Sequence, residues 1–163
     1  MQYARRMSQN FSRRTSKVSV SPEKDLFYSI IQDAKGKKLF LAFMQRTNSL
    51  EMFYFYENVM TFKKTLKQLE DDRINVATDK LRQAASRIID SYIKDGATMF
   101  IPMDVTCKLD VLQRYADGDI HSNLFDEALD DHIVKLGILI GQQFMQSEEG
   151  QKYVDQYHDF ESF

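Results

Sequence analysis

"SLEMFYFYENVMTFKK", residues Ser49–Lys64, decides how this chain reads. The aromatics Phe53, Tyr54, Phe55, Tyr56 and Phe62 crowd into one helix-length stretch. Strand alternation is absent. Leu50, Phe53, Tyr56 and Met60 recur instead at the spacing of one helical face. Ser49 stands where an N-cap belongs. An apolar stripe explains one side of such a helix but not rings placed next to one another around it. The stretch is therefore expected to be mainly core, with its first residues open to a partner.

The flanks carry the same signature. Upstream, Ser21 can cap, Pro22 suits the first helical position and Glu23 suits the positive end of the dipole. Leu26, Phe27, Ile30 and Ile31 follow at helical spacing, with Gly36 expected to stop the run. A second helix carries Leu39, Phe40, Phe43 and Met44. Downstream, "KQLEDDRINVATDK" reads as a polar link. Leu81, Ala84, Ala85, Ile88, Ile89 and Tyr92 then mark a helix ending near Gly96. "ATMFIPMD" reads as an irregular turn, because Pro102 biases Ile101 away from the helical region. Asp104 can cap a helix through Leu112 and Tyr115 that ends at Gly118. One long helix is expected from about Phe125 to Gln146, with Asp126, Glu127, Asp130 and Asp131 near its start, where carboxylates are favoured. Ser147 can cap a last helix holding Tyr153, Val154 and Tyr157. No segment repeats at a fixed period. Two prolines and six glycines in 163 residues suit long helices. The fold class is all-α, a bundle of several helices.

Length fits one domain with a real core. It is assigned to residues 22–163, preceded by a flexible basic tail, residues 1–21. Arg5, Arg6, Arg13, Arg14 and Lys17 face no acid among residues 1–22, so that segment carries +5 of a net −2, leaving −7 for residues 23–163. An acidic body argues against nucleic-acid binding, which needs a basic footprint. Arg5-Arg6-Met7-Ser8 and Arg13-Arg14-Thr15-Ser16 resemble sites of basophilic kinases, making Ser8 and Ser16 candidate phosphate acceptors. The bland reading of the same residues is a basic leader; a transit peptide fits less well, for want of an apolar face. Cys107 is the single cysteine, which excludes an internal disulfide and suits a reducing compartment. No apolar run reaches the ~20 residues of a membrane span.

Signals for catalysis are missing. His121, His132 and His158 form no His-x-x-His or His-Glu-x-x-His array, so no metal is expected, and these histidines read as surface or capping residues. No Gly-rich loop ends in Gly-Lys-Ser/Thr, so no nucleotide cofactor is expected either. Cys107 reads as a small hydrophobe. Gly137 and Gly141 in "GILIG" lie one turn apart. Each costs ~1 kcal/mol against alanine in a helix interior, which points to close approach by another helix.

Three blocks in order resemble the regulator of G-protein signalling (RGS) homology domain. In "GKKLFLAFMQRTNSLEMFYFYENVMTFKK", the family's Phe-x-x-Phe-Leu, Ser-x-Glu-Asn and Phe-Trp elements fall at Phe40, Phe43, Met44, Ser49, Glu51, Met52, Phe53, Phe55 and Tyr56. "AASRIIDSYIKDGATMFIPMD" is similar to the family's middle helix and the loop after it. "LFDEALDDHIVKLGILIGQQFMQS" is similar to its late block through Phe125, Asp126, Ala128, Phe144 and Ser147. The resemblance runs from about Gly36 to Ser147. It implies a two-lobed helical bundle that binds the Gα subunit of a heterotrimeric G protein in its GTP-bound or transition state. It also implies a cytoplasmic protein, with transient association at the plasma-membrane surface allowed. Such a domain adds no nucleophile. Gα carries its own arginine and glutamine, and a surface that binds the transition state more tightly than the ground state accelerates hydrolysis.

Carried over position by position, the implied Gα-binding residues are Ser49, Glu51, Met52, Pro102, Met103, Lys135, Leu139, Ile140 and Gln143. The family's Glu-Asn pair becomes Glu51-Met52. Its loop asparagine falls at Pro102, which has neither an amide side chain nor a backbone N–H. Its Leu, Asp, Ser and Arg contacts fall at Lys135, Leu139, Ile140 and Gln143. Ile140 also falls in the core stripe of its helix. Two expectations follow: an activator of GTP hydrolysis working through a more apolar face, or an RGS-like scaffold without that activity.

Overall fold

The computed structural model describes residues 21–161, with side chains through Gln156. The expectations for residues 1–20, including Ser8 and Ser16, lie outside the described residues, as does the side chain of His158. Every regular element among the described residues is helical. They fall in two compact units, one of residues up to Leu50 together with Ile133 onward, the other of Glu51–His132.

The first unit begins with α1, Pro22–Gln32. Ser21 caps it, its Oγ accepting from the Lys24 N–H at 3.3 Å. Leu26, Phe27 and Ile30 are buried. The stop is Asp33, not Gly36. Asp33 leaves helical geometry and caps α2, Ala34–Arg46, by accepting from the Lys35 N–H at 3.0 Å. Gly36 sits inside α2 because space, not chain reversal, demands it. A Cβ there would come within 2.9 Å of both the Tyr153 ring and the Ile30 carbonyl.

Phe40, Phe43 and Met44 form the buried face of α2, and the Phe144 ring meets Phe40 and Phe43 edge-on at 5.3 and 5.6 Å. The helix expected through Gln146 ends sooner. Helix α6, Asp126–Gln142, enters this unit at Ile133 and stops before Gln143, whose φ of −124° is not helical. A 3₁₀ turn, Phe144–Gln146, carries the chain into α7, Glu148–Glu161. Ser147 marks that start as expected, its Oγ accepting from the Gly150 N–H at 3.1 Å. α7 packs on α2. Gly137 fulfils the expected close approach: a Cβ would lie 2.0 Å from the Glu23 carbonyl oxygen, so α6 and the start of α1 meet backbone to backbone.

The second unit holds α3 from Glu51, then α4, α5 and the first turns of α6. α3, Leu50–Asp71, is 22 residues long and is the longest helix, where the sequence suggested α6. It absorbs the first part of the expected polar link, leaving residues 72–77. Its buried residues are Phe53, Phe55, Val59, Phe62 and Leu66. Tyr56 and Met60, expected on the core side, are only half-buried, and Tyr54 is exposed. The stripe is therefore rotated toward Phe55.

α4, Thr78–Ile88, runs directly into a π-helical turn, Ile89–Ile93, that the sequence did not suggest. α5, Val105–Ala116, starts where Asp104 accepts from the Thr106 N–H at 2.7 Å. The connection to α6 is pinned twice. Arg114 donates to Asp119 and to the Asn123 side chain, each at 2.8 Å. Glu70 accepts from the Ser122 N–H at 2.9 Å and from its hydroxyl at 2.8 Å. The Ser122 N–H, then its hydroxyl, hold the Glu70 carboxyl below its ordinary pKa. Phe62 packs edge-on against Phe125 at 5.0 Å, and Lys63 reaches Asp126 at 2.8 Å.

Candidate functional site

Of the residues singled out for partner binding, Ser49, Glu51, Met52, Pro102, Met103 and Gln143 lie at element starts or in connections, and Lys135, Leu139 and Ile140 lie on α6. Ser49 is half-buried in the turn before α3. Its hydroxyl turns back to α2, donating to the Met44 carbonyl at 3.4 Å and lying 2.8 Å from the Thr47 hydroxyl. Asn48 makes that reversal by adopting a φ of 53°, which asparagine tolerates better than most residues. Glu51 and Met52 are half-buried in the first turn of α3, so both present part of their surface.

Pro102 and Met103 lie in the loop between the π-turn and α5, Pro102 exposed and Met103 half-buried. The loop is held against the unit from behind. Ser91 and Tyr92 of the π-turn accept from the N–H groups of Met99 at 3.0 Å and Ile101 at 2.8 Å. Ile101 is buried, leaving Phe100 and Pro102 outside. The π-turn thus explains the loop's order, since its carbonyls anchor a segment with no regular pairing of its own.

In the other unit, Lys135 and Leu139 are half-buried on α6 and Gln143 is exposed at the break after it. Ile140 is fully buried. Its expected place among the partner-binding residues is corrected on that ground: it belongs to the core stripe and offers no side-chain surface.

Behind Met52 lies a residue that the sequence reading misplaced. His132, taken for a surface or capping histidine, is 2% exposed. Its Nε2 lies 2.5 Å from the Met52 carbonyl oxygen and so donates to it. The Phe55 ring packs edge-on against it, centroids 4.8 Å apart, and against Tyr92 at 5.4 Å. Asn58 donates to the Tyr92 hydroxyl at 2.6 Å, and burial raises the Tyr92 pKa. The signal for His132 was present, because it occupies a position of the stripe through Phe125, Leu129 and Leu136.

Cys107 packs as the expected small hydrophobe, its thiol pKa raised chiefly by burial. The same unit exposes Phe100, Val105 and Leu109, the first beneath the Lys108 ammonium at 5.4 Å.

The family model for the regulator of G protein signaling domain matches residues 26–148. The chain belongs to the RGS family. The match spans α1 through the 3₁₀ turn after α6, and an all-α architecture is what this family membership requires. No curated protein matches the chain. An RGS domain regulates a G protein and carries no hydrolytic site of its own. Among the described residues, no helix is long and apolar enough to cross a membrane.

Proposed function

We propose that this RGS domain binds the GTP-loaded or transition-state Gα subunit and accelerates its GTP hydrolysis in the cytoplasm, through a face more apolar than its family's usual one. The observation that carries this reading is the pairing of family membership over residues 26–148 with an open Glu51–Met52 helix mouth. The residues assigned to Gα contact are Glu51, Met52, Pro102 and Met103 in the Glu51–His132 unit and Ser49, Lys135, Leu139 and Gln143 in the other. Glu51 supplies a charge-assisted acceptor for N–H groups of Gα. Met52, Met103 and Leu139 supply adaptable apolar contact. Holding the switch loops of Gα in the geometry of the transition state lowers the barrier without any group from this chain touching the phosphate.

A second reading is favoured by Pro102. It can donate no hydrogen bond to Gα from its side chain or its nitrogen. An RGS domain so altered can bind Gα as a scaffold while leaving hydrolysis unchanged. Single-turnover GTP hydrolysis by Gα subunits of the same organism separates the two. Acceleration rejects the scaffold, and equal affinity for GTP-loaded Gα and its transition-state mimic rejects the activator. Glu51→Lys should weaken Gα binding in either case; an unchanged affinity would remove Glu51 from the face.

A further inference from the structure

Two stretches of the proposed Gα face lie in the Glu51–His132 unit, at the mouth of α3 and in the loop after the π-turn. They are far apart in sequence, yet an unbroken run of buried contacts joins them. The His132 Nε2–H donates to the Met52 carbonyl at 2.5 Å, across 80 positions of chain. The imidazole meets the Phe55 ring at 4.8 Å and 86°. Phe55 meets Tyr92 at 5.4 Å and 65°. The Tyr92 carbonyl accepts from the Ile101 N–H at 2.8 Å, immediately before Pro102. Phe55 is wholly enclosed and Tyr92 and Ile101 are 2% exposed.

We infer that His132 is a positioning residue for the Gα face, fixing the backbone at Met52 and, through Phe55 and Tyr92, holding the α3 mouth and the Ile101–Met103 loop in one fixed arrangement. The inference rests on the proposed Gα reading for its functional half only. The tie itself is a property of the unliganded domain.

The physical case is that apolar packing alone does not demand a histidine. A leucine would fill the site with no polar group to satisfy, and burying an imidazole is unfavourable unless it is hydrogen-bonded. The bond is made to a backbone atom, so it sets where the main chain of the mouth lies rather than how one side chain rotates. Edge-on ring pairs are directional. A shift of the imidazole therefore moves Phe55, and a shift of Phe55 moves the tyrosine whose carbonyl holds the loop. Pre-ordering a binding surface in this way removes an ordering cost from association.

The test compares the full chain with His132→Leu, His132→Gln and Phe55→Leu. Glutamine can place its amide N–H where Nε2 stands; leucine cannot. Amide hydrogen exchange of the free proteins is read at Leu50–Tyr56 and at Met99 and Ile101. His132→Leu should raise exchange at both stretches, and His132→Gln should restore protection. Phe55→Leu, which leaves the Met52 bond in place, should loosen Met99 and Ile101 more than Tyr56, whose N–H donates to the Met52 carbonyl within α3. Binding to transition-state-loaded Gα should fall about three- to tenfold in His132→Leu, the size expected for one net hydrogen bond, and recover in His132→Gln.

Unchanged exchange at both stretches in His132→Leu overturns the inference, as does a folded His132→Gln that restores neither protection nor binding. Should His132→Leu fail to fold, His132→Gln and Phe55→Leu decide alone: lost protection at Tyr56, whose N–H is the helical donor to the Met52 carbonyl, in His132→Gln, or unaltered exchange at Ile101 in Phe55→Leu, overturns it. A wild-type chain that binds no Gα defeats the proposed function but leaves the exchange result to judge the tie.

Discussion

The unit of residues up to Leu50 and from Ile133 onward and the unit of Glu51–His132 both fill their cores with rings, but they differ in what else sets their spacing. In the first, Phe144 packs on Phe40 and Phe43, and glycines let main chain come close as well. Gly137 sits against the Glu23 carbonyl and Gly36 against Tyr153 and Ile30, so the absence of side chains sets the spacing. In the second, rings and polar brackets fill the space: Phe55 between Tyr92 and His132, Phe62 on Phe125, and Glu70 closing on Ser122. Their surfaces differ as well. Among the described residues, Tyr54, Ile74, Phe100, Val105 and Leu109 are exposed in the second unit, against Ile138 in the first. A glycine pressed on main chain leaves no room for even a methyl group, so the first unit is the less tolerant of added volume at those points.

Breaking each unit in its own way should give the largest effects. Phe55→Ala empties a fully enclosed aromatic site and should destabilise the domain by about 3–5 kcal/mol, read by chemical denaturation. A loss below about 1 kcal/mol would mean the ring is not the organiser of its unit. Gly137→Ala should cost about 1–3 kcal/mol or more, since the new methyl meets main chain that cannot step aside. Gly141→Ala is the matched control. Its Cβ would meet only Leu26 Cδ2 at 3.6 Å, an ordinary contact, so relief of the glycine penalty should stabilise by up to about 1 kcal/mol. Equal effects of the two alanines would show that close approach does not set the spacing in the first unit.

A smaller effect concerns acid. Arg46 donates to Glu149 through Nε at 2.7 Å and Nη2 at 3.0 Å. The guanidinium hydrogen bonds come first among the causes that hold the Glu149 carboxyl at about 2, against an ordinary 4.5. A carboxyl with a depressed folded pKa stabilises fully above its unfolded pKa, and that contribution disappears as pH falls through the folded one. Glu149→Gln should therefore lower the thermal midpoint near neutrality, and the difference from wild type should shrink between about pH 4.5 and about pH 2. The pair is exposed, so the effect is small and weakens with salt. A constant difference across that window would show that the pair contributes nothing through charge.

Much of the helical plan could be read from local signals. Ser21, Asp104 and Ser147 mark helix starts because a cap acts within three residues. The failures share a cause, which is distance along the chain. Gly36 suggests a stop by sequence, but a glycine is needed there because the Ile30 carbonyl and, far away in sequence, the Tyr153 ring leave no room for a Cβ. The rotation of the α3 stripe depends on Tyr92 and His132 taking the Phe55 ring. The π-turn shows its use only once Met99 and Ile101 are seen to need acceptors. For the candidate site, Glu51, Met52 and Pro102 could be proposed from a motif and the helical stripe placed Ile140 and His132 inward, but the carbonyl that His132 serves, 80 positions away at Met52, shows only in the packing.

The central claim is that the RGS scaffold persists with a face altered at Met52 and Pro102 and still acts on Gα. Single-turnover GTP hydrolysis by a Gα subunit of the same organism tests it most directly, with wild-type chain beside the Met52→Asn and Pro102→Asn variants. Wild type should accelerate hydrolysis, and putting either amide back should make it faster still. A wild-type rate equal to Gα alone, unmoved by both substitutions while both proteins remain folded, would contradict it.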